Sequence, residues 1–545
     1  MDETNGPKGL QAVRHADQNE AMTAPTALGV GCRRSRIGGF WPAAALTGMA
    51  VLIAVARLHT YYEPMERDIT TYAVAAHEML NGRELYSQIW ESKPPAIHVT
   101  YALAELVAGY GYGEIYLLGV FAAVVSLVGV YVAARALGGA GCGLWAAAFW
   151  TLACGDMTLQ ANQPNTEVFI NACMVWALAV LFVRPGRPLG HWRAIGVGLL
   201  IGVASTYKQV IVPTAMLLAV THILVPPPDR KGSWRRRLGE VAIMAAAGIA
   251  VWAAVLAAFG AGDRFRSLYD ALVVFNRDRA GSLWENLAAA FTPRRGAAAL
   301  ATAGMIVAGI VLWRRGVSRR TVALLGAWWL GTFVAVALPG KFYPHYFQLW
   351  LPLATVAAGV AVIGAKRLGV RRPQWASAIA GMALLAAGLA VELPAYLLTP
   401  QEWSVRKYGH DVFVESQKAA GQLAAMLQGE ESFFNWGAES GLYFDSGRRP
   451  PSGIFFNFPL KNPRTAAAAT RQLLAELAAD PPELVIMHQT YLVNYVVGEG
   501  PVPRWLNERY DRLIIPGFSD QFHLFARRGW NFPRSTALLA LDPAE

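Results

Sequence analysis

Eleven windows of this 545-residue chain contain no Asp, Glu, Lys or Arg: 37–56, 115–134, 136–155, 168–183, 194–207, 209–228, 241–262, 296–313, 321–340, 342–365 and 373–391. A helix needs about 20 mostly apolar residues to cross the hydrocarbon of a bilayer, where unpaired backbone groups are too costly to tolerate. The windows 168–183 and 194–207 are short, but charged side chains at their ends can snorkel to the interface. A pattern repeated so often leaves one fold class, a polytopic α-helical membrane protein of about 11 transmembrane helices. Composition agrees, with 54% hydrophobic and 16% charged residues against about 25% charged in soluble domains. This excludes a string of soluble domains, a disordered scaffold and a disulfide-rich secreted chain. Cys32, Cys142, Cys154 and Cys173 show no paired or metal-type spacing.

The basic residues give an orientation. With the N-terminus cytoplasmic, Arg33, Arg34 and Arg36, Arg135, the Arg184–Arg193 loop, the Arg230–Arg237 loop, Arg314–Arg320 and Lys366–Arg372 all fall on one side. That is the positive-inside pattern. It holds only if the further apolar stretch 94–113, interrupted by Glu105, is an interfacial or re-entrant helix and not a span. The net charge of +11 therefore reflects topology. The basic residues are scattered between spans and form no face, so nucleic acid is not an expected partner. Residues 1–36 read as a disordered cytoplasmic tail and 37–398 as the membrane domain, with 57–114 as its first outer loop. From 399 to 545 charges return; short apolar runs and a helical stretch at Ala467–Ala479 read as a small α/β extracytoplasmic domain.

Outer loops gather polar groups near membrane depth: Asp68, Glu91, Lys93, Asp156, Glu167, Lys208, Lys341 and His345. Charges there are costly and usually face a cavity or pathway. Groups from separate segments on one side point to one outward cavity. The first loop is the most informative. Residues 69–80 have helical apolar spacing, and Asn81-Gly82 ends the helix. Asp68 stands where an N-cap would, so capping is its alternative role. A loop at 263–295, rich in Asp and Arg, reads as a substrate gate or an amphipathic interfacial helix.

The pattern Arg67-Asp68-x3-Tyr72-Ala73, then Met79-Leu80-x-Gly82-x3-Tyr86, then Lys93-Pro94-Pro95 resembles the first extracytoplasmic loop of the GT-C fold glycosyltransferases. The similarity is to the bacterial branch akin to protein O-mannosyltransferases and lipid A aminoarabinose transferases. Asn165-Thr166-Glu167, Gly202-x-Ala204-x2-Tyr207-Lys208-Gln209 and Phe342-Tyr343-Pro344-His345-Tyr346-Phe347 follow in the same order, so the resemblance covers roughly 40–400. Two departures bear on acceptor type and on any metal. Ile69 stands where many relatives have Glu, and Ser92 precedes Lys93, with Glu91 one place earlier.

The resemblance implies an integral-membrane glycosyltransferase of the bacterial inner membrane. It would move a sugar from polyprenyl phosphate to a cell-envelope acceptor (glycan, lipid or protein) on the outer face, with inversion. It implies Asp68 as the catalytic base. Lys93, Lys208, Lys341 and His345 are expected at the donor phosphate, with Glu66, Tyr72, Glu91, Glu167 and Tyr346 binding substrate or supporting the site. The resemblance names no certain cofactor and leaves a divalent metal ion open. The alternative is a polytopic transporter or lipid flippase, against which stand the odd span count and the lack of repeated halves.

Overall fold

The computed structural model describes residues 40–183, 189–227, 233–260, 262–312, 318–367, 373–491 and 500–531. The tail 1–36 and Cys32 lie outside the described residues. The chain divides between Trp41 and Pro42 into a short N-terminal unit, of which only Phe40 and Trp41 are described, and a unit of 42–545. All that follows concerns the larger unit.

Each of the eleven windows holds a helix. They are α1 (Phe40–Leu58), α4 (Tyr112–Gly138), α5 (Ala140–Ala153), α6 (Thr166–Phe182), α7 (His191–Tyr207), α8 (Val212–Leu224), α9 (Trp234–Phe259), α13 (Pro293–Leu312), α14 (Arg319–Ala337), α15 (Leu351–Gly364) and α16 (Pro373–Glu392). Among the described residues, six helices are long and apolar enough to cross a membrane: Phe40–Leu58, Tyr112–Gly138, Trp234–Phe259, Arg319–Ala337, Pro344–Gly364 and Trp375–Leu397. The chain is a multi-pass membrane protein. Between the windows lie α2 (Arg67–Leu80), α3 (Ala96–Ala108), and α10 (Asp263–Tyr269), α11 (Phe275–Ala280) and α12 (Leu283–Ala290). At 13 residues, α3 rises about 20 Å, short of a hydrocarbon core of about 30 Å. It exposes an apolar face at Val99, Leu103, Leu106 and Val107. The 263–295 segment is helical over most of its length.

Small residues bring helices close, as expected where lipid gives apolar side chains no preference for protein. A Cβ on Gly198 of α7 would lie 2.2 Å from the Met244 carbonyl oxygen of α9, and one on Gly202 would lie 3.0 Å from Gly248 Cα. A buried polar cluster joins α8, α9 and α14. Arg320 Nη2 donates to His222 Nδ1 at 2.6 Å, so His222 Nε2 carries the proton and donates to Glu240 at 2.8 Å.

After α16 come α17 (Pro400–Tyr408), opened by a Thr399–Glu402 capping box, and α18 (Val412–Met426). A four-stranded sheet follows, with β1 (Phe433–Asn435), β2 (Leu484–His488), β3 (Tyr510–Leu513) and β4 (Phe522–Arg527) in the order β1-β2-β4-β3. β1 and β2 are parallel and the other pairs antiparallel. Their crossover carries α19 (Gly441–Ser446), α20 (Phe458–Lys461) and α21 (Ala466–Ala479). β3 is held by the pairing of Tyr510 to Leu513 with Arg527 to Leu524.

Candidate active site

The site is built on the segment between α1 and α4, which carries α2 and α3. α2 starts at Arg67 with Glu66 as N-cap residue, and no side chain caps it. Asp68 is thus in the first helical turn and not at the N-cap. A carboxylate there is still favoured by the helix dipole. One face of α2 is fully buried through Ile69, Tyr72, Ala73 and Ala76, which fixes the direction of Asp68. After the turn at Gly82, Tyr86 takes a left-handed conformation (φ 70°) and its hydroxyl donates to the Lys93 carbonyl at 2.7 Å. Glu91 Oε1 accepts the backbone N–H of Ser92 at 2.5 Å and of Lys93 at 3.2 Å. Asn276 Nδ2 donates to the Ser92 carbonyl at 2.9 Å. These bonds present the Lys93 ammonium 3.6 Å from Asp68 Oδ2 and 5.4 Å from the Tyr72 ring centroid.

The second wall begins at Asn165, the N-cap of α6. Its Oδ1 accepts Thr166 N–H at 2.8 Å and the Tyr72 hydroxyl at 3.3 Å, and its Nδ2 donates to Glu66 Oε1 at 3.0 Å. Glu167, in the first turn, is fully buried. It accepts from Lys208 Nζ at 2.7 Å and from Thr166 Oγ1 at 2.8 Å. Lys208 also sits 3.6 Å from the Tyr346 ring centroid. His345 Nδ1 bonds Gln160 Oε1 at 3.1 Å. The non-glycine residues with positive φ among those described are Tyr86, Gln160 and Phe342, and all three border this site. Such conformations cost of order 1–3 kcal/mol each and persist only where surroundings impose them.

Together these elements enclose a cavity of about 590 Å³, lined by Glu66, Asp68, Glu91, Lys93, Lys208, Lys341, His345 and Tyr346 among others. Tyr72 and Glu167 stand behind its wall as partners of Asn165 and Lys208. Lys208 therefore enters with its charge already paired, whereas Lys341 is exposed. Burial, and then the nearby Asp68 carboxylate, push Glu66 up to about 8. Burial also raises Glu91, with Lys93 opposing it. For Lys93 burial works against the charge, but Asp68 and Glu91 outweigh it and hold the ammonium above its ordinary range.

Among the described residues no group of three or more His, Cys, Asp or Glu side chains is placed to hold a metal ion. At Asp68 the Lys93 ammonium already occupies the position of a counter-cation.

The segment after α16 contributes Phe413, Ala438, Phe456 and Phe458 to the cavity lining. Arg67 donates to Glu439 Oε1 at 2.8 Å, and the Thr70 and Thr71 hydroxyls each meet Ser440 Oγ at 2.8 Å. Arg449 grips Glu78 with two bonds of 2.8 Å. Lys407 Nζ, fully buried, bonds Glu63 Oε1 at 2.8 Å and Asn162 Oδ1 at 2.9 Å.

Sequence comparison finds neither a family profile nor a curated protein that matches the chain. Structure comparison does. ArnT from Cupriavidus metallidurans bound to undecaprenyl phosphate superposes with TM-score 0.57 over 89% of this chain and 98% of that one, at 16% identity. The apo state of ArnT gives 0.55 over the same shares, also at 16% identity. The apo oligosaccharyltransferase of Archaeoglobus fulgidus gives 0.52 over 91% and 76%, at 12% identity. The fold is that of the GT-C membrane glycosyltransferases. Against that fold, the residues that sequence reasoning missed are those joining the first loop to the last segment. Lys407 carries no motif, and its partner Glu63 is 344 positions away. Arg67 was visible in the first-loop pattern, but Glu439 was not. Asn276 lies in the loop read as a gate, with nothing local to mark its bond to Ser92.

Proposed function

We propose that the protein is an integral-membrane glycosyltransferase that moves a sugar from a polyprenyl-phosphate donor to a hydroxyl-bearing acceptor of the cell envelope, on the extracytoplasmic face. The observation that carries this reading is the Asp68–Lys93 pair at 3.6 Å, opening into the same 590 Å³ cavity as Lys341 and His345. A base and cations converge there from separate segments of the chain. ArnT, whose structure was solved with undecaprenyl phosphate, shares the fold.

In this mechanism the acceptor oxygen attacks the anomeric carbon from the face opposite the phosphate. The new bond joins acceptor oxygen to that carbon, and the bond from the carbon to the phosphate oxygen breaks with its electron pair leaving on the phosphate. Asp68 takes the acceptor proton. Lys93 and Lys341 meet the charge developing on the lipid phosphate, and His345 orients it. Glu167 and Tyr346 hold Lys208, which shapes the floor of the cavity. A single displacement inverts the anomeric configuration. The N-terminus is cytoplasmic and 399–545 is extracytoplasmic, with Phe413, Ala438, Phe456 and Phe458 lining the cavity. The test is incubation of membranes containing the protein with polyprenyl phosphate bearing a labelled sugar, followed by NMR of the product linkage. Transfer with inverted configuration supports the reading; retention of configuration refutes the single displacement, and absence of transfer to envelope acceptors refutes the function.

A further inference from the structure

Two turns present the lysines assigned to the donor phosphate, Lys93 and Lys341, and both turns are held by one short stretch of chain. The first turn contains the Ser92–Lys93 peptide. Asn276 Nδ2 donates to its carbonyl at 2.9 Å, and its N–H donates to Glu91 Oε1 at 3.2 Å, so the peptide unit leading into Lys93 is fixed at both ends. The second turn follows α14. Leu338 is the C-cap residue of that helix, where carbonyls lack an intrahelical partner, and Asn286 Nδ2 donates to the Leu338 carbonyl at 3.2 Å. Gly340 (φ 65°) and Phe342 (φ 51°) bend the backbone on either side of Lys341. The approach is close, since a Cβ on Gly340 would lie 2.3 Å from Asn286 Oδ1.

Each asparagine has an aromatic companion packed against the same element. Phe275, 2% exposed, meets the Trp90 ring edge-on at 4.7 Å, just ahead of Lys93. Phe291, at the end of α12, lies 4.8 Å from the Phe333 ring of α14. The chain between these grips is short and mostly helical. Asn276 Nδ2 also lies 3.2 Å from the carbonyls of Ala271 and Leu272, in the π-helical turn Asp270–Val274, an irregularity frequent at functional sites. Gly281 (φ 66°) and Ser282 then join α11 to α12. We propose that residues 275–291 form a brace, in which Asn276 and Asn286 are positioning residues that fix Lys93 and Lys341 relative to each other for one lipid phosphate. This rests on the glycosyltransferase reading. Two lysines held in place before the phosphate arrives bind it more tightly, because ordering them on binding would cost affinity.

The full chain in lipid nanodiscs is titrated with undecaprenyl phosphate and with undecaprenol, which lacks the phosphate. Asn276→Leu and Asn286→Leu remove the amide donors at similar size. Asn276→Ser and Asn286→Ser, too short to reach the carbonyls, are run beside them in case leucine hinders folding. Each variant is also combined with Lys93→Met and with Lys341→Met. Each asparagine change should weaken undecaprenyl phosphate about tenfold, a size typical of side chains that act through a shared neighbour, and leave undecaprenol unchanged. Asn276 changes should cost nothing further once Lys93 is replaced, and their full amount once Lys341 is replaced. Asn286 changes should show the reverse. Three results overturn the brace: an asparagine variant that binds undecaprenyl phosphate like wild type, an equal loss for undecaprenol, or the same loss in both lysine backgrounds. The last is what direct contact with the ligand, or general loosening, would give. If wild type binds undecaprenol as tightly as undecaprenyl phosphate, the glycosyltransferase reading fails and the brace falls with it.

Discussion

Lys407→Met should be among the most damaging single changes outside the cavity. Lys407 and Glu63 are both fully buried and 2.8 Å apart. Asn162 accepts from Lys407 at 2.9 Å and donates to Glu63 Oε2 at 2.6 Å. Removing the ammonium leaves the Glu63 carboxylate buried with only Asn162 on that side. Breaking one partner of such a pair costs about 3–5 kcal/mol, because a lone buried charge is the expensive state. With about 2.1 cal/mol/K of unfolding entropy per residue, a cooperative unit of this size loses roughly 3–5 °C in Tm. Adding Glu63→Gln removes the orphaned charge, so the double variant should recover most of the loss. The assay is thermal unfolding in detergent or nanodiscs for wild type, both single variants and the double variant. The reasoning is refuted if Lys407→Met shifts Tm by less than about 1 °C, or if the double variant falls by the sum of the singles. A second readout follows from position. Glu63 and Asn162 lie three residues from Glu66 and Asn165, so slackening here should reduce kcat more than donor KM.

Glu66, raised to about 8 by burial and by Asp68, is protonated at neutral pH. Its folded pKa lies above the ordinary 4.5, so its stabilising contribution is present below 4.5 and lost as pH rises through 8. In the proposed mechanism, ionisation there also adds a negative charge near the leaving phosphate. The transfer rate should fall as pH rises through about 8 and stay flat in Glu66→Gln; a pH–rate profile checks both. Asp445 is raised by burial to about 7, with the Tyr112 hydroxyl donating to it at 2.5 Å and opposing the shift. By the same sign its contribution is lost as pH rises from about 4 to 7, and Asp445→Asn should flatten the Tm–pH curve in that window.

How much the sequence could tell depended on the range of each interaction. The apolar windows and the basic loops are local patterns, and each window is a helix in the structure. Asp68, Lys93, Lys208, Lys341 and His345 stood out because charge near membrane depth is conspicuous in any position, and all five line one cavity. The finer geometry was hidden. Nothing local distinguishes Lys208, neutralised by Glu167, from Lys341. The helix start at Arg67 moved Asp68 from the cap into the first turn, a two-residue difference that apolar spacing cannot resolve. The contacts of Arg67 with Glu439, Lys407 with Glu63 and Arg449 with Glu78 bridge more than 340 positions, and no spacing rule reaches that far.

The central claim is that Asp68 is the base of a glycosyl transfer, and one measurement tests it most directly. Asp68→Asn keeps the size of the side chain and removes its basicity. In nanodiscs, with a labelled polyprenyl-phosphate sugar and saturating acceptor, the variant should lose about 10²–10⁴-fold in transfer rate while donor KM stays within a few-fold of wild type. A variant that transfers at the wild-type rate would contradict the account.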